Sequence, residues 1–205
     1  MHTGFTYRIA SVAALGGLLF GFDTAIINGA IILLKQQFGW TELQMEIAAS
    51  SLLAGCILGS AIAGALSDAF GRKRILLVSA AIFALSSLAT ALPRNLFEFT
   101  AARFVGGIAI GIASLLAPLY IAEISPESIR GRLVSLNQFA IVIGILISYF
   151  TGWGLASFGA GSWRWMFASM AIPSILFLLA LFTVPESPRW LVRAGQTANA
   201  EQVLT

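Results

Sequence analysis

The chain has 205 residues, of which 58% are hydrophobic and only 10% charged, with a formal net charge of +3. So few charges cannot coat a soluble surface, and repeated apolar runs of about 20 residues or more indicate helical membrane spans, with room for about six. The alternation of a membrane β-barrel is absent, the lone Cys56 excludes a disulfide framework, and His2, the lone histidine, has no metal partner in the tail where it lies.

Span one covers residues 9–34, with GGLLFGFDTAIING at its centre. It is longer than the apolar core of a signal peptide, contains an acid and leads to further spans, so it reads as a retained helix. Spans two and three are expected over residues 47–70 and 75–92, the latter ended by Pro93. Spans four, five and six follow over residues 97–121, 133–156 and 163–184. The remaining PESPRWLVRAGQTANAEQVLT reads as a polar helix starting at the membrane surface, giving a six-helix unit over 1–186 and a cytoplasmic linker beginning over 187–205. Arg8, Arg72, Lys73, Arg74, Arg130, Arg132, Arg189 and Arg193 would share one side of the membrane, against Lys35, Arg94 and Arg164 on the other. The excess of basic residues places both termini in the cytoplasm.

Spans one and four each open a triplet of spans with a glycine-rich helix holding one ionisable group, Asp23 and Arg103. The triplets point in opposite directions, the pattern of an inverted repeat. After Arg103 come Gly106, Gly107, Ala109, Gly111, Ala113 and Ser114, small residues that let another helix approach closely. The run is then expected to exit through Pro118 into a charged turn with Glu123, Glu127, Arg130 and Arg132.

An acid inside an apolar helix is a functional-site expectation by default, most often a proton carrier. Low dielectric favours its neutral form and a nearby cation its charged form, so proton occupancy responds to conformation. At about 1.5 Å per residue in a core about 30 Å thick, Asp23 and Arg103 both lie roughly 9 Å below the outer boundary. The pair therefore has two readings: a permanent ion pair that fixes packing, or a proton-coupling pair.

Between spans two and three, GALSDAFGRKR carries Gly64 and Gly71, suited to close approach and a tight turn, with Asp68 at a helix end and Arg72, Lys73 and Arg74 beyond. This loop resembles the G-x-x-x-D-x-x-G-R-K/R signature of the major facilitator superfamily. RFVGGIAIG, PLYIAEISPESIRGR and VPESPRWL resemble three motifs of its sugar porter family, in the family's order and spread over most of the chain. The resemblance implies an all-α integral membrane protein of the cell membrane, a six-transmembrane-helix bundle built as 3+3 inverted repeats that forms the N-terminal half of a major facilitator fold.

The same resemblance assigns Asp68, Arg72, Lys73, Glu123, Arg130, Glu186 and Arg189 to a cytoplasmic gate that bridges the two halves of such transporters. Asn137 and Gln138 match a span-five pair whose glutamine hydrogen-bonds sugar, and Ile141 and Ile145 share the Gln138 face at i+3 and i+7. Phe20 matches an aromatic of the pocket. Asp23 matches the acid of proton symporters, where many facilitators are neutral. Gln138 as a packing polar group and Phe20 as plain core remain the alternatives. Two departures stand out: Ile145 replaces a glutamine of some proton-coupled members, and the family's twelve spans are six here, the sequence stopping at Thr205 inside the linker region.

The expected activity is monosaccharide transport coupled to protons, with the lipid bilayer and a second six-helix half as partners, covalent or separate. No cofactor, no nucleic-acid partner and no enzyme activity are expected, since nucleophile–base sets, metal clusters and phosphate loops are missing. A passive facilitator, a half-length product without transport of its own and a homodimer of halves are the rivals.

Overall fold

The computed structural model describes residues 3–204, which leaves His2 outside the described residues. Among the described residues there is no strand; the chain is a series of helices, of which six are long and apolar enough to cross a membrane. In lipid the backbone must satisfy its own hydrogen bonds, and a helix does so within one segment.

Helix α1 (Thr3–Phe38) is followed by α2 (Glu42–Phe70), α3 (Arg72–Thr90), α4 (Leu96–Ile124) and α5 (Arg130–Leu155). Each starts or ends within a few residues of its expected span. The start of α2 is fixed by a capping box: the Gln44 backbone N–H donates to the Thr41 hydroxyl, and the Thr41 N–H to the Gln44 side chain. Asn95 caps α4 through the Glu98 N–H at 2.9 Å.

Proline separates expectation from structure twice. The expected exit at Pro118 is not where α4 ends; the helix continues to Ile124, because one missing N–H is tolerated when the neighbouring turns stay bonded. Span six, by contrast, is two helices, α6 (Ser162–Ser169) and α7 (Ala171–Phe182), joined at Met170. Pro173 cannot donate to the Ser169 carbonyl four residues earlier, and its ring crowds that turn, so the ladder breaks there. Helices α8 (Pro188–Arg193) and α9 (Thr197–Leu204) complete the chain.

The inverted repeat is written in glycine crossings. Gly17 of α1 lies on the Asn137 carbonyl as Gly107 of α4 lies on that of Leu52; Gly21 faces Ile141 as Gly111 faces Cys56. In the same way Gly144 of α5 faces the Leu18 carbonyl as Gly59 of α2 faces that of Ile108. The α4 positions (107, 108, 111) each lie 90 residues after their α1 counterparts (17, 18, 21), and the α5 positions (137, 141, 144) 85 after those of α2 (52, 56, 59). A Cβ at any of these glycines would come within 2.7 Å of the opposing backbone oxygen. The pairs α1–α5 and α2–α4 are thus the same crossing used twice, in the small-residue manner of membrane helices. Gly64 departs from expectation: a Cβ there would meet nothing within 4 Å, so it makes no close approach inside this bundle.

At the end opposite the termini, Phe38 stacks on Trp40 at 5.0 Å, Trp40 meets Phe99 at 5.5 Å, and Phe99 meets Phe167 at 5.4 Å. These rings fill the space between α1, α4 and α6 beside the two buried charges.

Candidate functional site

Asp23 on α1 and Arg103 on α4 meet in the interior. The Arg103 Nη1 donates to Asp23 Oδ1 at 2.5 Å, and each side chain is 2% exposed. The guanidinium also lies over the Phe167 ring, its carbon 5.4 Å from the centroid. Its Nε and Nη2 are buried and have no hydrogen-bond partner among the described residues. Removing two charges from solvent costs several kcal/mol per ion, about as much as their attraction returns, unless the remaining donors are also satisfied. With two donors bare, this pair is an expensive way to fasten two helices.

Arg72, at the other end of the bundle, shows what a fastened arginine looks like. Its Nε donates to both oxygens of Glu123 at 3.2 and 3.0 Å, its Nη2 to Oε1 at 3.0 Å, and its Nη1 to the Ser67 carbonyl at 3.0 Å. Nη1 also lies 2.9 Å from Asp68. Such a fork, with every face engaged, fixes direction as well as distance. The Ser187 hydroxyl donates to the same Glu123 carboxylate, and Arg193 pairs with Asp68 at 3.0 Å.

Glu186 has a role that the motif did not foretell. Gly71 precedes α3 and has no side chain with which to cap it. The Glu186 carboxylate, from the connection after α7, accepts the Lys73 backbone N–H at 3.0 and 3.1 Å and so caps α3 from a distant part of the chain. Gly71 has φ 98°, and a Cβ there would collide with that carboxylate, so glycine serves both the turn and the cap. The Trp190 indole N–H donates to the Asp68 carbonyl at 3.0 Å and holds α8 against the ends of α2 and α3.

Of the residues assigned to a gate by their motifs, Asp68, Arg72, Glu123 and Glu186 come together, with Lys73 joining through its backbone. Two do not join. Arg130 reaches only the Ser125 carbonyl at 3.3 Å, and Arg189 is exposed and makes no hydrogen bond or ion pair with the described residues. Ser67, Ser187, Trp190 and Arg193 are the members that sequence reading missed. Ser187 was detectable as a serine directly before a proline, the signature of a helix start.

Phe20 on α1 and Ile141 and Ile145 on α5 are half-buried, and Gln138 is exposed without a hydrogen bond to the described residues. Asn137 points the other way: it is 7% exposed and packs on Gly17, its side-chain oxygen without a hydrogen-bond partner among the described residues. The Gln138 face of α5 is therefore turned out of the bundle while Asn137 belongs to the α1–α5 crossing.

The family model described as "Sugar (and other) transporter" matches residues 9–205. A glucose transport protein of Synechocystis is 44% identical over 98% of this chain and 45% of its own length. The D-xylose-proton symporter of Escherichia coli K12 is 42% identical over 99% of this chain and 48% of its own. A solved structure of the proton:xylose symporter XylE, bound to 6-bromo-6-deoxy-D-glucose, superposes with a TM-score of 0.95 at 39% identity, over all of this chain and 50% of that one. The chain thus spans about half the length of the relatives it matches. It is a member of the sugar transporter family, with the fold of the N-terminal half of a major facilitator.

Proposed function

We propose that this chain works as the first half of a proton-coupled monosaccharide symporter, with Asp23 as the proton carrier and Arg103 as its counter-ion. The observation that carries this reading is the contrast between the two buried arginines. Arg72 is locked by a fork of bonds, whereas Arg103 holds Asp23 by one bond and keeps two donors free. A proton arriving on Asp23 removes the anion at the cost of a single hydrogen bond, after which the guanidinium keeps the Phe167 face. The symporters among the relatives add weight.

In this reading both termini are cytoplasmic in the cell membrane, residues 1–186 form one bundle, and residues 187–205 open the linker to a second. The Asp68–Arg72–Glu123–Glu186 cluster, with Lys73, Arg130 and Arg189 around it, stabilises the closed cytoplasmic side. Phe20, Gln138, Ile141 and Ile145 offer the sugar a wall of this half. Transport proceeds by rocking one bundle against the other about the midplane site. The full-length protein in liposomes is expected to accumulate a monosaccharide against its gradient and to lose that accumulation on adding a protonophore. Accumulation-free uptake that ignores the protonophore would assign it as a passive facilitator instead.

Gln138 gives a second test. Its side chain has no hydrogen-bond partner among the described residues, so a sugar hydroxyl is the partner the reading supplies. Gln138→Ala is expected to weaken sugar binding by about 1–3 kcal/mol, read by calorimetric titration, because a buried hydrogen-bonding group of the sugar loses its partner. Unchanged affinity would return Gln138 to a packing role.

A further inference from the structure

A cleft of about 410 Å³ opens between α1 and α2, near the ends remote from the termini, and its wall includes Arg103. Thr24 and Ile27 line one side of it, Ser50 and Glu46 the other. Glu46 is exposed, and its carboxylate has neither a hydrogen bond nor an ion pair with the described residues. Its own backbone carbonyl accepts the Ser50 hydroxyl at 2.7 Å, one turn deeper. Arg103 supplies the second observation: it is 2% exposed, lines this cleft, and has two buried nitrogens without hydrogen-bond partners among the described residues. Ile27, Ala49, Leu52 and Leu53 make most of the lining apolar, and the groups that water in the cleft would bridge are those of Thr24, Glu46, Ser50 and Arg103.

We propose that this cleft is the route by which a proton reaches Asp23, with Glu46 as the acceptor at its mouth. The inference rests on the symport reading above and adds to it the side of entry and the group that collects the proton. A carboxylate at the mouth attracts protons to it, and the Thr24 and Ser50 hydroxyls, which donate to the Phe20 and Glu46 carbonyls of their own helices, present oxygens that accept hydrogen bonds from water in the cleft. The proton passes from bulk water to the Glu46 carboxylate and then, through water in the cleft, to Asp23. Glu46 is left as the anion it was, and Asp23 becomes the neutral acid.

The other charged groups on the packed helices are engaged elsewhere. On α1, Lys35 pairs with Glu42, and Asp23 with Arg103. On α4, Glu98 accepts the Arg94 backbone N–H at 2.8 Å and an Asn95 side-chain N–H. Among the described residues, Glu46 is therefore the carboxylate of this face whose side chain has no hydrogen-bond or ion-pair partner.

The test compares wild type, Glu46→Gln and Asp23→Asn in the full-length protein, reading sugar accumulation and sugar exchange over a series of external pH values. The expected result for Glu46→Gln is a ratio of accumulation to exchange about tenfold below wild type at alkaline external pH, converging with it at acid pH where protons are plentiful. A Glu46→Gln profile that overlays wild type, while Asp23→Asn has lost accumulation, overturns the cleft and leaves the symport reading standing. Accumulation preserved in Asp23→Asn overturns both. Ser50→Cys in a full-length background with Cys56 and every other cysteine replaced by serine adds an independent readout: a membrane-impermeant thiol reagent applied outside is expected to label it, and protection from labelling in every condition overturns the route.

Discussion

Asp23→Asn is expected to abolish proton-driven accumulation while sugar exchange remains measurable. Asparagine has the shape of the protonated acid, so the variant freezes the side chain in its neutral form. Exchange of sugar for sugar needs no net proton movement and survives if the neutral form is one the cycle visits. Accumulation needs the acid to lose its proton on the far side, which asparagine cannot do. The side effect on folding is bounded by the structure. Breaking a buried pair by deleting one partner usually costs about 3–5 kcal/mol, because the surviving charge is stranded. Here Arg103 retains the face of Phe167 and borders the cleft, so its stranding is relieved in part. Thermal stability measured alongside transport separates the two effects. Equal loss of accumulation and exchange in a stably folded variant would make Asp23–Arg103 a packing device and remove the coupling role.

Gly107→Val is expected to be the most damaging single change to the bundle itself. A Cβ at Gly107 would lie inside the van der Waals shell of the Leu52 carbonyl and 3.0 Å from the Gly55 Cα, and backbone cannot step aside as a flexible side chain can. Forcing extra atoms into a packed crossing costs about 1–3 kcal/mol, and β-branched valine stands at or above the top of that range. The apparent melting temperature in detergent should fall by about 5 °C or more. Gly131→Ala is the control, since a Cβ there meets nothing within 4 Å, and it is expected to leave the melting temperature unchanged or slightly raised. Equal tolerance of both substitutions would mean that the α2–α4 crossing is looser than the structure has it. By the repeat, Gly21 and Gly144 in the α1–α5 crossing follow the same rule.

These two variants mark the division between what residues announce and what packing decides. The class of the protein was legible in composition alone, and the number and approximate limits of the spans in the length of the apolar runs, because the hydrocarbon thickness sets the helix length. Asp23 and Arg103 stood out for the same reason: a charge in an apolar helix has few neutral explanations. The motifs then supplied the family, and the depth of the two charges along their helices was enough to make their meeting geometrically consistent.

What the sequence left undecided follows from the same chemistry. Span helices are apolar on the faces turned to lipid and on those turned to each other, so hydrophobic periodicity does not distinguish inside from outside. Gly64 and Gly107 read alike in the sequence, yet one faces open space and the other a carbonyl. Asn137 and Gln138 are neighbours of similar chemistry, but the pitch of α5 turns one into the α1 crossing and the other out of the bundle. Whether Pro118 and Pro173 end a helix depends on how neighbouring turns recover the lost bond, and Glu186 caps α3 across more than a hundred residues of chain. Composition and motif determined that this is a six-span member of the sugar transporter family with two charges in its interior. Only the packing of helices distant in sequence decided which arginine is locked, which is held by a single bond, and where the cleft beside it opens.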